Sequence, residues 1–208
     1  MTRITSRHRF TLSLASILLA AGAVIGVSPV AHAADCNAGK PGEDLSFAEA
    51  QTVYDCIAEK LHQGYVTGPK GWIPVDFVDN YRSWTQASTV PAAPGFHGGR
   101  FLVTWVNQTG AAEYLKYAEN PTMPAGSLLA KESFSVNDAG NVTMGPLFFM
   151  EKVAAGTSPE TDDWYYYMVS PKGQPQAVNV ISACSECHQG SFADTGGMGY
   201  PVEEARVQ

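Results

Sequence analysis

Ile181-Ser182-Ala183-Cys184-Ser185-Glu186-Cys187-His188 stands close to the end of a 208-residue chain, and its last five residues read C-x-x-C-H. Two thiols separated by two residues share one helical turn, and an imidazole follows at once. This is the attachment pattern of a c-type haem. Each sulfur adds to one vinyl group at one porphyrin edge, and the next residue turns its imidazole to the iron as the axial ligand. The expectation is one covalent haem c, held by Cys184 and Cys187, with His188 on the iron. Two other chemistries use paired cysteines. A thioredoxin-type redox pair opens a helix near the start of its domain, and this pair lies at the far end. A zinc half-site needs two more ligands, for which the remaining chain offers His62, His97 and the other cysteine pair.

Upstream of the motif the pattern changes from helical to alternating. Trp164 to Val169 reads as a strand closed by Pro171-Lys172-Gly173. Leu147 to Val153 and Ser127 to Val136 read as two more, the latter followed by a turn at Asn137-Asp138-Ala139-Gly140-Asn141. Arg100 to Asn107 alternates Phe101, Val103 and Trp105 with smaller residues. Helices are expected at Leu45 to His62, Val75 to Trp84 and Thr109 to Glu119. The first opens on a capping box, Ser46-Phe47-Ala48-Glu49, carries Ala50, Val53, Ile57 and Leu61 at helical spacing, and is expected to stop at Gly64. The fold class is therefore α+β: a mainly antiparallel β-sheet with flanking helices and a C-terminal haem-attachment helix. All-helical electron-transfer cytochromes carry C-x-x-C-H near the N-terminus and an axial methionine far downstream. Here only Met198 follows His188, so the second face of the iron is expected to stay open, which suits binding or chemistry at the metal.

Residues 1–33 have a separate reading. Arg3, Arg7 and Arg9 precede an apolar stretch from Leu12 to Val27, and Ala31-His32-Ala33 supplies small residues for cleavage. This is the layout of a secretory signal peptide cut after Ala33, leaving a single domain over 34–208 in the periplasm. The chain has 13 Lys+Arg against 20 Asp+Glu, and the leader contains three of the basic residues and none of the acidic ones. So acidic a surface excludes nucleic acid as a partner. No apolar run beyond the leader approaches the length of a membrane span. In an oxidising compartment the remaining thiols, Cys36 and Cys56, are expected to form a disulfide tying the mature N-terminus to the first helix.

In this order several segments resemble a known family. They are Tyr81-Arg82-Ser83-Trp84, Val103-Thr104-Trp105-Val106-Asn107, Tyr114, Gly126-Ser127-Leu128-Leu129-Ala130-Lys131-Glu132, Phe148-Phe149-Met150, Asp163-Trp164-Tyr165-Tyr166-Tyr167 and the terminal motif. From about Tyr81 to His188 the chain is similar to the cytochrome P-460 family and its relatives, the β-type cytochromes c′. The resemblance implies an antiparallel β-fold, a homodimer and a five-coordinate haem. Enzymatic members oxidise hydroxylamine with a haem bonded to a lysine side chain, and a partner cytochrome receives the electrons. The β-type cytochromes c′ lack that bond and bind gases such as nitric oxide. Lys131 matches the cross-linking position; the plain alternative is a strand lysine pointing to water.

Enzymatic members also use a distal carboxylate as proton acceptor. The matching loop here, Ala154 to Asp163, offers Glu160 and Asp162, whose plain alternative is a solvated acidic loop. In the strand that carries the family's distal arginine, Arg100 falls two residues early and Leu102 takes the aligned place. Phe134, Phe148, Phe149 and Met150 are candidates to line the haem or simply to fill the core. His97, between glycines, reads as a loop histidine hydrogen-bonded at the surface or to a haem propionate, with iron ligation as the alternative. Three functions remain open: hydroxylamine-type oxidation, gas binding, and simple electron transfer.

Overall fold

The computed structural model describes residues 36–93, 95–178 and 180–208. The signal peptide expected over residues 1–33 lies outside them. In chain order the elements are α1 (Phe47–Thr67), α2 (Val75–Asn80), β1 (Thr85–Gln86), β2 (Phe101–Val106), α3 (Gln108–Tyr114), β3 (Leu128–Val136), β4 (Val142–Met144), β5 (Leu147–Lys152), β6 (Trp164–Val169), β7 (Pro175–Val178) and α4 (Glu186–Ser191). The strands make one antiparallel sheet in the order β1-β2-β3-β5-β6-β7, with β4 also paired to β3.

β3 organises the sheet. One edge pairs with β2 through Phe101↔Phe134 to Val106↔Leu129. The other edge pairs with β5 over its first half and with β4 over its second. Because side chains alternate along a strand, Leu129, Lys131 and Ser133 point to one face and Ala130, Glu132 and Phe134 to the other. All six residues of β2 are buried rather than alternately exposed, because both faces of the sheet are covered.

Helix α1 covers the back face. Ser46 caps it through the expected capping box with Glu49, a device worth about 1 kcal/mol. Ala50, Val53, Ile57, Leu61 and Tyr65 recur on its buried side. Leu61 and Tyr65 pack with Val103, Trp105, Leu147 and Phe149 of the sheet in one core cluster. The helix does not end at Gly64 but continues to Thr67. Gly64 is there for proximity: a Cβ would sit 2.1 Å from the carbonyl oxygen of Pro171, in the turn between β6 and β7. The expected disulfide is present, joining Cys36 to Cys56 with Cα atoms 5.8 Å apart.

Two further expectations shift. Helix α3 stops at Tyr114 rather than reaching Glu119, since Tyr117 and Asn120 take positive φ values of 48° and 51°. The C-terminal helix begins as a π-turn at Ile181–Ser185 before becoming α4. β1, β4 and β7 have two to four residues each, too few for alternation to announce them.

Candidate functional site

The front face of the sheet and the C-terminal segment enclose a cavity of about 220 Å³. From the sheet, β3 contributes Leu129 and Lys131, β5 contributes Phe148 and Met150, and β6 contributes Tyr166 and Met168. The C-terminal segment contributes Cys184, Cys187, His188 and Phe192, and the loop before β2 contributes Phe96 and His97. The structure thus gathers Cys184, Cys187, His188 and Lys131, more than fifty residues apart in sequence, around one space. Both motif thiols are unpaired, Cys184 half-buried and Cys187 exposed. Burial raises the Cys184 thiol above its ordinary value, with the neighbouring Cys187 adding to the effect.

His188 is buried, and its Nδ1 lies 2.7 Å from the carbonyl oxygen of Gly197. A carbonyl only accepts, so Nδ1 carries the proton and the Nε2 lone pair is left free. A hydrogen bond at the far nitrogen fixes the ring's orientation and raises its basicity as a ligand. Burial nevertheless lowers the imidazole to about 4, outweighing that bond, so the ring is neutral and ligand-competent at pH 7.

The carbonyl on His188 belongs to a strip the sequence reading passed over. Trp164 Nε1 donates to Gly196 O (2.9 Å), Thr195 Oγ1 to Met198 O (2.6 Å), and both Tyr114 OH (3.1 Å) and Lys131 Nζ (2.6 Å) to Gly199 O. The Gly197 carbonyl therefore holds His188, and the Gly199 carbonyl holds the strand lysine, within one strip, Gly196-Gly197-Met198-Gly199. The signal for it was a glycine-rich run directly after the motif.

Lys131 does not point to water. Its side chain is enclosed, with 8% of the residue exposed, and Nζ finds one carbonyl and no carboxylate among the described residues. Burial alone lowers it to about 8. Its sequence neighbour Glu132, on the opposite face, has no exposure at all yet is fully partnered. Arg82 donates from Nε to Oε1 (2.6 Å) and from Nη2 to Oε2 (3.0 Å), Tyr54 OH donates to Oε2 (2.7 Å), and Tyr81 OH donates to Oε1. Two segments of the resemblance, Tyr81-Arg82 and Lys131-Glu132, are thereby joined: the first pair partners the second residue of the other.

Several sequence candidates lie elsewhere. Glu160 and Asp162 are exposed and do not line the cavity. Glu160 accepts from Ser158 Oγ (3.0 Å), and Asp162 pairs with Lys152 (3.5 Å) at the end of a 3₁₀ turn. The loop is held by its own side chains and the Lys152 contact, which turn these carboxylates to solvent. Arg100 is also absent from the lining. Phe148 and Met150 line the cavity, whereas Phe149 and Phe134 belong to the back-face cores. Met198 is wholly buried among Tyr114, Met123 and Trp164, so the one methionine downstream of the motif does not reach the cavity. No three His, Cys, Asp or Glu side chains among the described residues converge as a metal cluster.

Residues 78–196, more than half of the chain, match the Cytochrome P460 family. The chain belongs to the cytochrome P460 family. No curated protein matches it. Cytochromes of this family bind c-type haem, and the residues around the cavity fit that group: two free thiols on one helical turn, a free imidazole nitrogen and an apolar wall of Phe, Leu and Met. Some family members are oxidoreductases. No helix among the described residues is long and apolar enough to cross a membrane.

Proposed function

We propose that this protein is an exported haem oxidoreductase of the P460 type, acting in the periplasm on hydroxylamine or a similarly small nitrogen compound. The observation that carries this reading is the burial of Lys131 Nζ in the same cavity as Cys184, Cys187 and His188. Cys184 and Cys187 would hold haem c by two thioethers, His188 would bind its iron, and Lys131 would form a further bond to the macrocycle. When bound, the haem supplies an iron centre that accepts electrons from the nitrogen compound and yields them to a partner cytochrome.

The protein's own contribution is orientation, exclusion of water and choice of guest. Gly197 O sets the tautomer of His188, and Gly199 O holds the Lys131 amine at the cavity wall. A lysine lowered to about 8 has an appreciable neutral fraction near pH 7, and only the neutral amine has the lone pair that bond formation needs. The bond would replace one N–H and one macrocycle C–H, with a two-electron oxidant such as a peroxide taking up the two hydrogens. Phe148, Met150, Met168 and Leu129 give the cavity an apolar lining that would keep bulk water off the haem and off a small molecule bound to it.

A second reading, gas binding without turnover, has an observation of its own: no carboxylate among the described residues lines the cavity, where an enzymatic member is expected to place its proton acceptor. The absorption spectrum of purified haem protein and its Lys131→Ala variant separates the two. The oxidoreductase reading expects a shifted, broadened Soret band that becomes an ordinary c-type band in Lys131→Ala, with hydroxylamine oxidation falling at least tenfold. An ordinary high-spin spectrum in the wild type, unchanged by the substitution, would place gas binding first.

A further inference from the structure

Besides His188, the cavity wall holds a second imidazole, His97, carried by the loop before β2. Its position is costly in two ways. First, Nδ1 is shielded from solvent and has no hydrogen-bond partner among the described residues, and a buried polar group left unpaired is destabilising. Second, His97 takes φ = 55°, a conformation uncommon outside glycine, within a loop whose Gly95, Gly98 and Gly99 are also at positive φ. The ring is nonetheless well placed. It packs on Phe148 with centroids 4.4 Å apart, and its centroid lies 6.1 Å from that of His188. An unspent polar group and a strained backbone at a cavity wall point to a role with a guest rather than to the scaffold.

The rest of the wall sharpens this. Lys131 Nζ already donates to Gly199 O and His188 Nδ1 to Gly197 O, while Phe96, Leu129, Phe148, Met150 and Met168 offer no hydrogen bonds. A neutral imidazole has one nitrogen that donates and one that accepts, and on His97 the shielded Nδ1 has no partner among the described residues. The wall is thus largely apolar, and its polar atoms without a partner among the described residues are His97 Nδ1 and the Tyr166 hydroxyl, with His188 Nε2 reserved for the iron. Of the first two, only His97 also sits at a strained backbone position.

We propose that His97 is a substrate-contacting residue, whose imidazole accepts a hydrogen bond from the N–H or O–H of a small polar molecule admitted to the cavity. Resting on the haem reading above, this defines the guest as a hydrogen-bond donor such as hydroxylamine, in preference to a diatomic gas. It also gives the cavity the polar group that the exposed Glu160 and Asp162 do not supply.

The test compares haem-loaded wild type, His97→Phe and His97→Gln by spectral titration, with hydroxylamine in the absence of an electron acceptor and with carbon monoxide on the reduced protein. Phe keeps the packing on Phe148 and removes the acceptor; Gln restores an acceptor. The expected result is a roughly tenfold weaker hydroxylamine affinity in His97→Phe, equivalent to about 1.4 kcal/mol. Partial recovery is expected in His97→Gln, and carbon monoxide affinity should stay within about twofold. Equal hydroxylamine affinity in all three proteins would overturn the assignment, as would a parallel loss for carbon monoxide. A low-spin wild type that becomes high-spin in His97→Phe would also overturn it, by making His97 an iron ligand. If His97→Phe holds no haem, His97→Leu takes its place, and a hydroxylamine affinity weaker than that of His97→Gln is required. A wild type that binds no hydroxylamine at all removes the oxidoreductase reading together with this one, whereas binding that ignores residue 97 removes this one only.

Discussion

The two faces of the sheet bury charge in opposite ways. Behind β3, Glu132 is surrounded by three donors from α1 and the turn after α2, and every carboxylate oxygen is used. In front of it, one residue earlier, Lys131 has a single carbonyl, and His97 across the cavity leaves a shielded nitrogen unpaired. A buried charge that serves only the scaffold is matched completely, because an unmatched one costs several kcal/mol. Lys131 and His97, left short, lie where a prosthetic group and a guest are proposed to complete them. His62 Nε2 on the back face is also without a partner among the described residues, so the contrast between the faces concerns buried charge and not every polar atom.

The comparison breaks most visibly at Glu132. Glu132→Ala strands the Arg82 guanidinium, and denaturant unfolding should show a loss of about 3–5 kcal/mol; a loss below 1 kcal/mol would mean the back-face network is not saturated in solution. Next comes the disulfide on the same side. Cys36→Ser with Cys56→Ser frees a loop of 20 residues' separation, and the same measurement should fall by about 3 kcal/mol.

The front face should answer to pH instead. Without haem, Lys131 titrates near 8 in the folded chain and near 10.5 when unfolded, so between those values the unfolded chain binds more protons. Stability should then rise with pH across this window, by at most about 3 kcal/mol, the buried charge being most costly below pH 8. Lys131→Met should abolish that rise in denaturation curves collected from pH 7.5 to 10.5, and a rise that survives the substitution belongs to other groups. Smallest of all, Ser46→Ala removes the α1 cap on the back side and should cost about 1 kcal/mol without altering any haem spectrum.

Much of this was legible in the sequence, for physical reasons that differ by element. β3 and β6 announce themselves by length and by aromatic and β-branched content, and α1 by its capping box and spacing. The motif cysteines and His188 are legible because two thioethers and an imidazole ligand on one haem call for those residue types at close spacing. Lys131 could be named from the pattern, but its direction depends on register, which the Thr104↔Lys131↔Phe148 pairing fixes. The role of Gly64 was misread because close approach to Pro171 is a tertiary fact, and a glycine in a helix looks locally like a stop. The acidic loop misled for a similar reason. Carboxylates near an aligned position say nothing of whether Lys152 and local turns hold them in solvent. The Gly196–Gly199 carbonyls were overlooked because backbone acceptors carry no side-chain signature.

Peptide mapping of the exported, haem-loaded protein tests the central claim most directly. If Lys131 is bonded to the macrocycle, trypsin cannot cut after it, and the fragment containing Lys131 should be recovered linked through haem to the fragment containing Cys184, Cys187 and His188, with mass equal to both peptides plus haem less the hydrogens lost in bonding. Recovery of the haem solely on the Cys184–Cys187 fragment, with Lys131 cleaved and unmodified, would contradict the account.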